Sequence, residues 1–126
     1  EHEEKGFVSG KPGREEDVKF GIVASTAHPQ VDYQKVAYSD SPWAAHPTQT
    51  MTYVSCHDNH TLWDRLALSC PDDSEEERIK MHKLALATVL TSQGTAFLHA
   101  GTEFLRTKDG VENSFEFQSP EGVLLR

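Results

Sequence analysis

The sequence predicts an α/β fold organised as a βαβ unit that belongs to a larger sheet. Three observations carry this prediction: a β-prone run at residues 50–55, a strong helical pattern over residues 72–94, and a second apolar run at residues 95–100. Strand, helix and strand in that order join parallel strands by a right-handed crossover. Two parallel strands leave both faces and both edges in need of cover. The amino-terminal region shows little strand signal, so the rest of the sheet is expected on chain beyond these 126 residues.

Each element has a local cause. Residues 1–49 read as a loop-rich region, punctuated by Gly6, Gly10, Pro12, Gly13, Pro29, Pro42 and Pro47, with one short helix predicted over residues 15–24. A stretch that long without strong elements is usually a functional loop or part of something bigger. Met51, Tyr53 and Val54 are bulky and uncharged, so the first strand is expected to be buried on at least one side. A short helix is expected over residues 59–66. The long helix takes its N-cap from Asp72, Asp73 or Ser74, carries Glu75 to Glu77 in its first turn, and meets a terminating Gly94. Ile79, Leu86 and Leu90 recur at helical spacing, and Leu84 and Val89 widen the apolar surface beyond one face. The second strand is expected to be buried and to end in a loop at residues 101–104.

Composition narrows the function. Twelve Lys plus Arg against 20 Asp plus Glu give a formal net charge of −8, with no basic stripe. Phosphate backbones and anionic membrane surfaces repel such a chain, so nucleic acid and membrane are excluded as expected partners. The amino terminus lacks the basic-then-apolar order of a secretory signal, and no apolar run approaches the ~18 residues of a membrane span, which predicts a soluble chain. Cys56 and Cys70 do not make a disulfide framework and are expected to be reduced.

The chemistry is concentrated where the first strand stops. Tyr53-Val54-Ser55-Cys56-His57-Asp58-Asn59-His60-Thr61-Leu62-Trp63-Asp64 sets imidazole, carboxylate and amide side chains at a strand's carboxyl end. That is where β/α barrels keep their active sites. The same residues have plainer readings. Asp58 by itself could cap the helix that follows. His57, Asp58 and His60 resemble metal ligands, but adjacent residues at an extended strand end do not readily converge on one ion, and metal binding is disfavoured. Trp63 could stack on a sugar, yet its spacing with Leu62 and Leu66 favours the core. Trp43 is the better candidate for a surface aromatic facing substrate, and His99 reads equally as a functional or a buried histidine.

This segment closely resembles the fourth signature region of the pullulanase-like debranching enzymes of glycoside hydrolase family 13, in the α-amylase superfamily. Three further segments resemble the same group in the same order: Gly6-Phe7-Val8-Ser9-Gly10-Lys11-Pro12-Gly13; Ser92-Gln93-Gly94 with the run from Phe97 to Lys108; and Asn113-Ser114-Phe115. The resemblance implies a fragment of a (β/α)8 TIM barrel that hydrolyses α-1,6-glucosidic branch linkages in pullulan, starch or glycogen with retention. The chain would be a partial catalytic domain over residues 1–126. Residues 1–49 would precede strand seven of the barrel, and residues 50–126 would run from strand seven through helix seven to just past strand eight. It implies Asp58 as the transition-state-stabilising carboxylate and His57 as a ligand of hydroxyls on the same glucose; Asn59, Trp43 and Asn113 are further candidate substrate-binding residues. It implies an α-glucan substrate; no cofactor is expected.

The family also needs an Asp nucleophile and a Glu acid/base, held in Arg-x-Asp and Gly-Glu-x-x segments, and neither pattern occurs in this sequence. Retention requires two carboxyl groups about 5 Å apart across the bond. Glu103 and Asp64 are not expected to substitute for them. The chain by itself is therefore expected to be inactive, with apolar barrel surface left exposed through which it self-associates. The alternative is a noncatalytic α-glucan-binding or structural module derived from the same barrel. Residues 116–126 depart from the family pattern, with Glu121 after Ser119-Pro120.

Overall fold

The computed structural model describes residues 3–114. The departure noted over residues 116–126 lies outside them, as does Phe115. The chain forms α1 (Glu15–Ile22), β1 (Met51–Thr52), α2 (Leu62–Ser69), α3 (Glu75–Thr91) and β2 (Thr95–Ala96), with short 3-10 turns at Phe7–Ser9, Tyr33–Lys35, Pro47–Gln49 and Thr102–Phe104. β1 and β2 pair in parallel, Met51 opposite Thr95 and Thr52 opposite Ala96. The βαβ order is thus present, with the short α2 and the long α3 between its strands.

The helices end where the backbone requires. α1 stops at Ile22, because Ala24 and Ser25 adopt positive φ of 55° and 57°. The expected helix over residues 59–66 is corrected to Leu62–Ser69: its N-cap is Thr61, whose hydroxyl accepts the Asp64 amide at 3.1 Å. Ser74 caps α3 by accepting the Glu77 amide at 3.2 Å, above three glutamates in the first turn. After α3 the chain doubles back to β2 through Gly94 at φ +92°. A Cβ there would sit 2.6 Å from the Thr50 hydroxyl oxygen, so only glycine lets the turn lie against β1.

The core is helical. Leu62, Leu66 and Ala85 form its buried centre, with Val8, Met81 and Leu86 packed around them. The inner face of α3 is His82, Ala85 and Val89, whereas Leu84 and Leu90 point outward. Trp63, on α2, is partly buried against α3, edge-on to His82 at 6.1 Å and beneath the Arg78 guanidinium at 5.8 Å.

The expectation of buried strands is overturned. β1 and β2 are two residues each, and both lie at the surface: Met51 is 59% and Tyr53 53% exposed, and Phe97 and Leu98 are exposed beyond β2. The reason is physical: a two-stranded parallel ribbon has no neighbour to extend its ladder or cover its faces. Tyr53 and Phe97 pack edge to face across it, 6.0 Å between ring centres. Among the described residues no helix is long and apolar enough to cross a membrane.

Candidate active site

The loop that leaves β1 is held from within and offers its chemistry outward. Ser55 is buried, and its hydroxyl accepts the Leu62 amide at 3.2 Å, tying the start of the loop to the first residue of α2. Thr61 closes the other end through its cap. Between these two anchors Cys56 turns its thiol toward the Asp58 carbonyl at 3.7 Å, and Asn59 adopts the left-handed conformation at φ +59°. Asparagine tolerates that region better than most residues.

The result is a projecting tip. The His57 Nε2 and Asp58 Oδ1 atoms are 3.4 Å apart, with side chains 79% and 65% exposed. An ion pair so open to water contributes little stability. Asp58 caps no helix, since Thr61 does that work. Its carboxylate faces the histidine and solvent, free to accept hydrogen bonds from a polyhydroxylated ligand. Asn59 beside it is exposed, and its amide adds both donor and acceptor capacity.

A second loop packs behind this tip. The Lys108 ammonium donates to the His57 carbonyl at 3.2 Å and to the Glu112 carbonyl at 2.8 Å. Asn113 follows immediately and is exposed, so the structure brings it into the neighbourhood of the 57–59 loop. Asp64, buried in the first turn of α2, accepts the Lys108 amide at 2.8 Å and the Thr107 hydroxyl at 2.5 Å. His99 lies in the same region: partial burial lowers its pKa below the usual histidine value, and the charges of Arg106, Lys108 and His57 push the same way.

Trp43 stands elsewhere. It is 62% exposed and lines a depression with Thr26, Ala27, Pro42, Ala44, Ala45 and Pro47, none of them from the 57–59 loop. Its backbone is fixed, since the amides of Trp43 and Ala44 both donate to the Ser25 carbonyl at 3.2 and 3.1 Å. Among the described residues no three His, Cys, Asp or Glu side chains are grouped as a metal would require. Both cysteines are free thiols.

Asp64 and Lys108 are the residues of this site that local sequence reading overlooks. Asp64 stands with Arg65 among the apolar Leu62, Trp63 and Leu66, and only its burial sets it apart from an ordinary helix-surface carboxylate. Lys108 ends the Phe97–Lys108 run already singled out, but its burial and its bond to His57 are visible only in the structure.

No family model matches the chain. It is 35% identical to the pullulanase of Bacillus subtilis strain 168 over 111 residues, 88% of this chain and 14% of that protein. It is 43% identical to the chloroplastic pullulanase 1 of Arabidopsis thaliana over 74 residues, 58% of this chain and 8% of that protein. Among solved structures it resembles the Paenibacillus barengoltzii pullulanase in complex with maltohexaose and α-cyclodextrin, with 52% identity and a TM-score of 0.76 over 90% of this chain and 16% of that one. The Bacillus subtilis type I pullulanase complexed with maltose superposes with a TM-score of 0.79 at 34% identity, over 90% of this chain and 15% of that one. The chain thus spans about one seventh of the length of the Bacillus subtilis relative. Over most of its own residues it is a pullulanase-related α/β polypeptide, corresponding to a limited part of those larger enzymes.

Proposed function

We propose that this chain is the carboxyl-terminal part of the catalytic (β/α)8 barrel of a glycoside hydrolase family 13 enzyme of pullulanase type, which cleaves α-1,6-glucosidic branch linkages in pullulan, starch or glycogen with retention. β1 and β2 are then strands seven and eight of the barrel. The observation that carries the reading is the outward-facing His57–Asp58 pair at the carboxyl end of β1, on a loop anchored at its two ends by the buried Ser55 and Thr61. The maltooligosaccharides bound by the similar pullulanases support an α-glucan as the ligand.

In this reading Asp58 accepts hydrogen bonds from two neighbouring hydroxyls of the glucose unit before the cleaved bond. Positive charge develops on that ring in the oxocarbenium-like transition state, and bonds to its hydroxyls strengthen as it does. An ionised acceptor makes these bonds roughly twice as strong as a neutral one would. His57 holds a hydroxyl of the same sugar, with Asn59 and Asn113 contributing further polar contacts and Trp43 a stacking face for a more distant glucose. The nucleophile and the acid/base belong to other strands of the barrel, so the 126-residue chain by itself releases no sugar from pullulan.

The test places residues 6–114 of this chain in the corresponding segment of the Paenibacillus barengoltzii pullulanase. Pullulan hydrolysis is expected to persist in this chimera, and Asp58→Asn to lower kcat by about 10²–10³-fold. Turnover unchanged by Asp58→Asn in a folded chimera overturns the assignment. Weak maltotriose binding by the isolated chain, lost in Asp58→Asn, combined with an inactive but folded chimera, would favour a noncatalytic glucan-binding module instead.

A further inference from the structure

We infer that Lys108 is a positioning residue for the active-site loop, its buried ammonium bridging the His57 carbonyl to the loop after β2 and so fixing where the Asp58 carboxylate stands. The inference rests on the role proposed above for Asp58. Lys108 is 2% exposed, and its alkyl chain could be replaced by an apolar residue of similar length. Burying an ammonium is costly unless hydrogen bonds replace its water, so its presence demands partners. Those the structure gives are backbone carbonyls of two separate loops, His57 at 3.2 Å and Glu112 at 2.8 Å.

The lysine is itself anchored. Its amide donates to Asp64 at 2.8 Å, and the Thr107 hydroxyl donates to the other oxygen of the same carboxylate. The chain then turns sharply, with Asp109 and Gly110 at positive φ and the Val111 amide returning to the Lys108 carbonyl at 3.0 Å. An unbroken series of bonds therefore runs from the first turn of α2, through Thr107 and Lys108, to the peptide group joining His57 to Asp58. Side-chain geometry at a reacting centre must be held to within about half an ångström. The exposed pair has no packing of its own to do this, and the ammonium behind it supplies the missing constraint.

The first measurement is hydrogen exchange in the full 126-residue chain. Lys108→Met is expected to speed exchange of the amides over residues 56–60 at least tenfold, whereas Val89→Ala, a core truncation on α3 that lowers stability without touching the loop, leaves them unchanged relative to global unfolding. The second is kinetics in the chimera. Lys108→Met is expected to lower kcat on the order of 10²-fold with KM within threefold, as a misplacement of about 1 Å would, while Val89→Ala leaves kcat within threefold. Should Lys108→Met fail to fold, Thr107→Val, which removes one bond of the series, is expected to give the same pattern at smaller amplitude. Unaltered loop exchange and kcat within threefold in a folded Lys108→Met protein overturn the inference. If Asp58→Asn abolishes turnover in that same background, the positioning role fails while the reading of Asp58 stands; if Asp58→Asn is fully active, both fail.

Discussion

His82 shows how one residue links burial to pH. It is buried on α3, its Nε2–H donates to the Thr102 carbonyl at 2.8 Å, and its Nδ1 has no partner. Burial lowers its pKa from the ordinary 6.5, against the smaller opposing pull of the Thr102 carbonyl. Partial burial lowers that of His99 as well. For both, the unfolded state takes up the proton first as pH falls, so the stability they contribute is complete above about pH 6.5 and is lost as pH drops through that value. Thermal unfolding followed between about pH 7.5 and about pH 5.5 is expected to show a falling Tm. His82→Gln, which retains a donor for Thr102 but cannot be charged, flattens that slope; an equally steep slope in the variant would contradict the assignment. At the same scale, the open His57–Asp58 pair contributes little to stability.

The elements are held by caps and turns more than by strand pairing. Ser74 satisfies an otherwise orphan amide at the start of α3, and Ser74→Ala is expected to cost about 1 kcal/mol in denaturant unfolding. Gly94 is less replaceable. Its φ of +92° and the 2.6 Å approach to Thr50 mean that Gly94→Ala must strain the backbone and displace β1 together. The expected loss is about 1–3 kcal/mol from the conformation alone, and a midpoint unchanged in urea would show that the turn relaxes freely. β1 and β2 contribute few ladder hydrogen bonds, Thr95 to Thr50 at 3.1 Å and Phe97 to Thr52 at 2.9 Å.

At the scale of the whole molecule, apolar side chains gather on the surface where a sheet would continue: Met51, Tyr53, Val54, Phe97 and Leu98, with Leu84, Leu90 and Phe104 exposed as well. Contiguous apolar surface of this kind marks an association site. Sedimentation velocity on the isolated chain is expected to show self-association that grows with concentration, accompanied by a broad thermal transition. A monodisperse monomer with a sharp cooperative transition would show instead that the present core suffices. The net charge of −8 opposes association, so added salt is expected to promote it.

The order of strand, loop, long helix and second strand was legible from periodicity and punctuation alone, as were an N-cap among Asp72, Asp73 and Ser74 and the stop near Gly94; that Ser74 is the cap came from the structure. These are local effects, decided within a few residues by propensity and capping. That His57, Asp58 and Asn59 share one loop follows from their adjacency in the chain; the roles proposed for them await the chimera experiment. Which way that cluster faces was not legible: a capping role for Asp58 was ruled out only by Thr61, three residues on, taking the N-cap position. Strand burial was misread for a related reason, since bulk and β-propensity state a preference for cover without supplying it. The role of Lys108 was beyond any local pattern, because its bond to His57 spans 51 positions and that of its amide to Asp64 spans 44. The sequence by itself determined the elements and the reactive groups; only the tertiary structure decided their support, because hydrogen bonds between distant segments exist only once packing has brought those segments together.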